Sequence, residues 1–190
     1  MSSQRISLTA SFVAVLLFAP ACATGRPGPP DPEIRVLVFN IHAGKDARGV
    51  DNLERVAALV RETGADIALL QEVDVRTQRS GGVDQPAVLD SLTGLSAVFG
   101  RTLDYQGGLY GIAVLSRWPI VRDTMLQLPV SPPQGRAGGS YEPRGALIVT
   151  IEAPGGPITV INTHLDASGE EHYRLQELAT LIAEAERRAG

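Results

Sequence analysis

The sequence is poor in the residues that disulfide-bonded and zinc-binding proteins need. Cys22 is the only cysteine among 190 residues, so an internal disulfide and a cysteine-based zinc site are both excluded. Lys45 is the only lysine, and 17 basic side chains face 21 acidic ones, giving a formal net charge of −4. A general basic surface for a polyanion is therefore not expected, although a few arginines would still hold one phosphate.

Three common catalytic signatures are also missing. The chain has no Gly-x-Ser-x-Gly nucleophile elbow, no Gly-x4-Gly-Lys-Ser/Thr phosphate loop and no Gly-x-Gly-x-x-Gly dinucleotide loop after a strand. Its histidines, His42, His164 and His172, lack zinc-type spacing. With 44% hydrophobic and 20% charged residues, the composition is that of a globular domain and excludes a disordered acidic tail.

The amino terminus reads as an export signal. Arg5 precedes the apolar run 12–19, which is too short to span a bilayer, and Ala19-Pro20-Ala21 resembles a cleavage site. We therefore predict a signal peptide over residues 1–21. Cys22 follows directly, so two outcomes stay open: lipidation of Cys22, which would tether the protein to a membrane, and plain cleavage.

A proline-rich tether is expected over residues 22–33, because four of the prolines lie between positions 27 and 32. The folded domain is then expected over residues 34–190. The predicted location of the mature protein is periplasmic or extracellular, with a membrane-anchored lipoprotein as one form of it.

The first part of this domain has the pattern of a strand–helix–strand unit. Residues 34–41 are apolar on both faces, as in a central buried strand, and residues 67–70 form a second such run. Between them, Asp51 and Glu54 suggest a capping box for a helix that Gly64 closes. The two strands should be parallel, which would bring Asn40 and Glu72 to the same edge of the sheet.

The rest of the chain predicts hairpins and two further helices, so the fold class is α/β with mixed, α+β-type sheets. The expected elements are a helix over 88–95, strands over 97–99, 112–116 and 120–128, a loop over 131–141, a hairpin of 146–151 with 158–161, and a last helix capped by Ser168 and Glu171.

Polar residues stand where several of these strands end. Taken singly, Asn40 is a turn former, Glu72 a solvated charge and His164 a structural histidine. Taken together, the amide and carboxylate are hard oxygen ligands suited to Mg²⁺, Mn²⁺ or Ca²⁺, and an imidazole nearby could protonate or stabilise an oxygen that gains charge.

Five motifs, in order along the chain, resemble those of the endonuclease/exonuclease/phosphatase superfamily. They are Asn40-Ile41-His42, Gln71-Glu72-Val73-Asp74, Tyr110-Gly111-Ile112-Ala113-Val114-Leu115-Ser116-Arg117 with Pro119, Glu142-Pro143-Arg144, and Asn162-Thr163-His164-Leu165-Asp166. The resemblance implies a four-layer α/β/β/α sandwich, of which this chain would be the amino-terminal portion, and divalent-metal hydrolysis of phosphate esters.

The resemblance also implies roles for individual residues. Glu72 matches the principal metal-binding Glu, and Asn40 an Asn that supports the metal or the attacked phosphate. His164 matches a phosphate-contacting or acid-assisting group. Arg144 and Tyr110 match substrate-binding positions, although no step of the reaction is assigned to Tyr110. For Arg144 the alternative is an ion pair with Glu142 at the surface.

Two motifs of the superfamily, Gly-Asp-x-Asn and Ser-Asp-His, do not occur in the sequence. We therefore expect a truncated enzyme that is weak or inactive on bis(p-nitrophenyl) phosphate. The alternative function is a non-catalytic exported binding lipoprotein that keeps half of the fold. The substrate expected is a phosphate ester, whether a lipid headgroup, a nucleic acid or a small phosphodiester, and no obligate protein partner is evident, although a second chain that completes the fold is a further alternative.

Overall fold

A computed structural model describes residues 33–133, 142–168 and 171–189. Their elements are β1 (Val36–Asn40), a short 3-10 turn (His42–Gly44), α1 (Leu53–Glu62), β2 (Ile67–Val75), α2 (Gln85–Thr93), β3 (Ser96–Tyr105), β4 (Gly108–Ser116), β5 (Ile120–Leu128), β6 (Arg144–Ala153), β7 (Gly156–Thr163) and α3 (Glu171–Ala189). The predicted α/β class is confirmed, with one mixed sheet and one antiparallel sheet. Most of the predicted loop, residues 134–141, lies outside the described part of the chain.

The first sheet has the strand order β1-β2-β4-β3. β1 and β2 are parallel, as the strand–helix–strand pattern predicts, whereas β4 runs antiparallel to both β2 and β3. Gly111 on β4 has to be a glycine, because a Cβ atom there would lie 2.0 Å from the carbonyl oxygen of Gly100 on β3. This close approach sets the path of β4 beside Tyr110.

The prediction that β1 is a central buried strand is wrong. It pairs with β2 alone among the described strands and leaves Val36, Val38 and Phe39 exposed by 48%, 64% and 36%. An apolar run identifies a strand but carries no information on its position in the sheet.

The predicted capping box of α1 is also wrong. The N-cap position belongs to Asn52, which makes no side-chain capping bond, and the Asp51 carboxylate instead accepts a hydrogen bond from the Lys45 ammonium group. The other end agrees with the sequence pattern, since Gly64 follows α1 with a φ of +63°.

The second sheet has the order β5-β6-β7, all antiparallel, and contains the predicted β6–β7 hairpin. Although β4 and β5 are neighbours in sequence, they lie in different sheets. Apolar side chains fill the space between the sheets, and a second cluster lies between the first sheet and helices α1 and α2. The buried members that join the two sheets are Ile67, Ile112, Val114, Leu147, Val149 and Ile151.

A pair of buried amide side chains crosses this apolar interface. Gln71 Nε2 on β2 donates to Asn162 Oδ1 on β7 over 2.8 Å. Asn162 Nδ2 in turn donates to the carbonyl oxygens of Leu70 and Ala113, each over 2.9 Å. Because Gln71 precedes Glu72 and Asn162 lies two residues before His164, the pair brings the two predicted site segments to one edge of the sandwich.

Helix α3 contacts the segment after β7 through a buried carboxylate. Glu177 is fully buried, and its Oε2 accepts the backbone N–H of Asp166 over 2.8 Å. Burial raises the pKa of Glu177, an effect that the Asp166 N–H and the Arg144 charge offset in part. The last helix is thus confirmed, but its apolar residues Leu175, Leu178 and Ile182 are exposed.

Replacing Asn162 by alanine should destabilise the fold by about 2 to 4 kcal/mol, because Gln71 Nε2 keeps only the carbonyl oxygen of Leu69 as an acceptor and two buried carbonyls lose a donor. Urea unfolding of N162A measures this directly. T159A, at an exposed position of the same strand, is the matched control and should change stability by less than about 1 kcal/mol. Equal stability of N162A and the parent would show that the amide pair does not join the sheets.

The raised pKa of Glu177 predicts a specific pH dependence. The folded protein holds this proton more tightly than the unfolded chain, so the contribution to stability is complete below the ordinary value of 4.5 and declines as the pH rises through the folded-state pKa. The stability of E177Q relative to the parent should therefore increase from acid to neutral pH in urea unfolding series. A difference that is constant with pH would contradict the assignment.

Candidate functional site

Glu72 is aimed by an irregularity in β2. The register between β2 and β4 shifts between Gln71 and Val73, and Glu72 has a φ of +56°, a left-handed conformation that is rare for a non-glycine residue within a strand. Such bulges redirect a side chain and occur often beside functional sites. The carboxylate of Glu72 stays partly accessible, with 24% of the side chain exposed.

Asn40, the last residue of β1, holds this carboxylate. Its Nδ2 donates to Glu72 Oε1 over 2.8 Å, and its Oδ1 accepts the backbone N–H of His42 over 2.9 Å. The amide orientation is thereby fixed by both partners. The structure thus brings Asn40 and Glu72 together, as the parallel strands predict, and gives Asn40 a direct role in positioning the carboxylate.

The turn after β1 carries a residue to which the sequence analysis assigned no role. His42, Ala43 and Gly44 all have positive φ values, of 50°, 54° and 66°. This turn places His42 Nδ1 3.7 Å from Glu72 Oε2, with 74% of the histidine side chain exposed. His42 belongs to the motif around Asn40, but it is the left-handed turn that directs its ring toward Glu72. No sequence pattern predicts this turn.

Gln85, at the start of α2, supports both strained segments. Its Nε2 donates to the carbonyl oxygen of Ala43 over 2.6 Å, and its Oε1 accepts the backbone N–H of Asp74 over 2.8 Å. Gln85 is buried, so both bonds are shielded from water. One side chain therefore ties the turn of His42 to the end of the strand that carries Glu72.

The second sheet contributes a buried cation. Arg144, the first residue of β6, is only 6% exposed, and its Nη1 lies 2.9 Å from Glu142 Oε1 and 3.4 Å from His164 Nδ1. The structure brings Arg144 and His164 together, as their predicted roles require. Arg144 also pairs with Glu142, but this pair is buried rather than at the surface.

A cavity of about 90 Å³ adjoins the carboxylate and is lined by Glu72, Arg79, Leu103, Tyr105 and Tyr110. Tyr110, predicted on the substrate side, thus lies with Glu72. The Arg79 guanidinium carbon lies 4.8 Å and 5.2 Å from the ring centroids of Tyr105 and Tyr110, within the range of cation–π attraction.

Arg79 is held by the buried carboxylate of Asp74. Its Nε and Nη2 donate to the two Asp74 oxygens over 2.7 Å and 2.8 Å, and these bonds raise the pKa of Arg79. Asp74 belongs to a predicted motif, but Arg79 and Tyr105 were missed. Neither lies in a motif: the bonds to Asp74 bring Arg79 beside Glu72, and the pairing of β3 with β4 brings Tyr105 there.

The donor set fits a hard divalent cation that keeps part of its water. Glu72 offers one carboxylate, which Asn40 orients. Within the described ranges we find no cluster of three or more His, Cys, Asp or Glu side chains that could share a metal ion. Mg²⁺ is commonly bound through one or two carboxylates, with water filling the other positions. The residues present are therefore compatible with such an ion.

Two further observations concern the membrane prediction. Cys22, the predicted lipidation site, lies outside the described residues, as does the whole predicted signal. Across the part of the chain that the structure covers, no helix has both the length and the apolar character required to cross a membrane.

Known structures resemble this fold. An endonuclease/exonuclease/phosphatase from Beutenbergia cavernae is 29% identical over 75% of this chain and 41% of its own, with a TM-score of 0.60. The mannosyl-6-phosphatase of Bacteroides thetaiotaomicron is 19% identical over 83% of this chain and 60% of its own, with a TM-score of 0.61. TDP2 from Caenorhabditis elegans is 22% identical over 81% and 42%, with a TM-score of 0.56.

The chain spans between 41% and 60% of the length of these three proteins. Independently of these structures, the sequence profile of the Endonuclease/Exonuclease/phosphatase family matches residues 37–190, which is nearly the whole folded part. The match includes every predicted site residue except Cys22. The chain belongs to the endonuclease/exonuclease/phosphatase family.

Proposed function

We propose that this chain carries the metal-binding and phosphate-binding part of an exported, divalent-metal-dependent phosphoesterase. The observation that carries the proposal is the joining of two chemically different groups at one edge of the sandwich. Glu72 supplies a carboxylate that Asn40 orients on the first sheet, while Arg144 and His164 supply donors on the second. The hydrogen bond between Gln71 and Asn162 holds the two strands together beside them.

Each of these groups has a role in the proposed hydrolysis of a phosphate ester. A divalent ion bound at Glu72, with Mg²⁺ favoured and Mn²⁺ or Ca²⁺ as alternatives, would supply Lewis acidity and lower the pKa of bound water. Asn40 fixes the carboxylate for that ion. Arg144 would donate hydrogen bonds to the phosphoryl oxygens, and His164 would contact the phosphate or give a proton to the leaving oxygen.

The cavity beside Glu72 is the proposed place for the alcohol part of the ester. Its tyrosine rings and Leu103 offer apolar contact, and Arg79 offers hydrogen bonds from a position that Asp74 fixes. A lipid headgroup, a nucleotide unit or another small phosphate ester would each present a polar group here. Export through residues 1–21, with lipidation or plain cleavage at Cys22, is part of the proposal.

The alternative, a non-catalytic binding lipoprotein, would also bind the metal and the phosphate. Metal binding and phosphate binding are expected in both cases. Turnover of bis(p-nitrophenyl) phosphate that disappears in E72Q would favour the enzyme, and binding without turnover would favour the binding protein.

Replacing Glu72 by glutamine should weaken binding of Mg²⁺ and Mn²⁺ by at least about tenfold, because a charged ligand becomes neutral while the acceptor for Asn40 stays in place. Isothermal titration calorimetry of the purified chain with each metal chloride gives the affinities. E152Q, at an exposed position of β6, is the matched control and should bind like the parent. Unchanged affinity in E72Q would exclude Glu72 as the ligand.

Replacing Arg144 by lysine should weaken binding of inorganic phosphate to the Mg²⁺-loaded protein by about tenfold, since lysine keeps the charge but loses the planar donor pair. R122K, which changes an exposed arginine of β5, serves as the control. Urea unfolding verifies that R144K is folded. A folded R144K that binds phosphate as tightly as R122K would remove Arg144 from the phosphate site.

A further inference from the structure

His42 and Glu72 lie within ion-pair distance of each other but do not share a hydrogen bond. The 3.7 Å between His42 Nδ1 and Glu72 Oε2 is too long for a hydrogen bond between nitrogen and oxygen. Two ligands that lie about 2.1 Å from one cation are about 3.0 to 3.4 Å apart. A small rotation of the exposed imidazole would bring the two atoms to that separation.

The backbone is strained on both sides of this gap. His42 and Glu72 have φ values of 50° and 56°, and a non-glycine residue in this region costs about 1 to 3 kcal/mol. Such strain persists only where the surroundings impose it, which Gln85 and Asn40 do here. The strain gives no packing advantage to His42, because most of its side chain is exposed. Its visible consequence is the direction of the ring.

We propose that His42 Nδ1 is a second protein ligand of the cation that Glu72 binds, so that the site prefers Mn²⁺ to Mg²⁺. This rests on the proposed function, in which Glu72 is a metal ligand. Imidazole nitrogen suits transition metals, whereas Mg²⁺ takes oxygen ligands and retains water. Adding one nitrogen beside a carboxylate therefore shifts the preference toward Mn²⁺. The neutral ring would bind through Nδ1 and carry its proton on Nε2.

The decisive experiment is pulsed electron paramagnetic resonance of the chain loaded with Mn²⁺ alone, which detects the hyperfine coupling of a directly bound nitrogen. The parent should show a nitrogen coupling, and H42G should lack it. Glycine accepts the positive φ at this position without strain, so H42G should keep its fold. H172A, which removes an exposed histidine of α3, is the matched control and should retain the coupling.

Calorimetric titrations with MnCl₂ and MgCl₂ provide the second readout. In H42G the affinity for Mn²⁺ should fall at least tenfold, with less than a twofold change for Mg²⁺. A nitrogen coupling that persists in H42G, or its absence from the parent, would overturn the inference. Equal loss of both metals in H42G would do so too, because it would mean that His42 only orients Glu72.

Failure of the inference can be told apart from failure of the proposed function by E72Q. If E72Q loses both metals while H42G keeps the nitrogen coupling, Glu72 is the ligand and only the role of His42 is refuted. If E72Q binds Mn²⁺ as the parent does, the metal site is not at Glu72 and both proposals fall.

Discussion

The hydrogen bond between Gln71 and Asn162 is the contact on which the site depends. It is a polar pair within an otherwise apolar interface, where a buried amide without a partner is costly. Apolar packing alone would allow the sheets to slide by small amounts at little cost, whereas an amide pair is satisfied in one arrangement. The pair therefore fixes how β2 and β7 meet, and with them the residues that follow on each strand.

This arrangement separates charge between the two sheets. The carboxylate of Glu72, suited to a cation, belongs to the first sheet, and the guanidinium of Arg144, suited to an anion, belongs to the second. Arg79, beside Glu72, is already paired with Asp74, and Glu142, beside Arg144, is already paired with that arginine. A phosphate ester with its metal ion would contact both Glu72 and Arg144 only where the sheets meet, so this part of the proposed chemistry uses both layers of the sandwich.

The sequence was sufficient to predict the parallel pairing of β1 and β2, because apolar strands around an amphipathic helix leave few alternatives. That pairing placed Asn40 beside Glu72 correctly. The edge position of β1, the bulge at Glu72 and the approach of Tyr105 could not be predicted, since each depends on strands that are distant in the chain. Arg79 is near Glu72 in sequence, but the turn that folds it back onto Asp74 carries no motif. The capping box at Asp51 failed for a local reason, as Lys45 competes for the same carboxylate. The export signal and Cys22 stay predictions.

The left-handed conformations of His42 and Glu72 lower the stability of the fold, while their side chains serve the proposed function. Glycine at position 42 or 72 would relieve the backbone and so favour folding, yet it would remove the imidazole or the carboxylate. A protein selected for stability alone would drift toward glycine there. The backbone strain at His42 and Glu72 therefore has to be offset by stability from the rest of the sandwich. The apolar packing between the sheets thus limits how much strain this edge can tolerate.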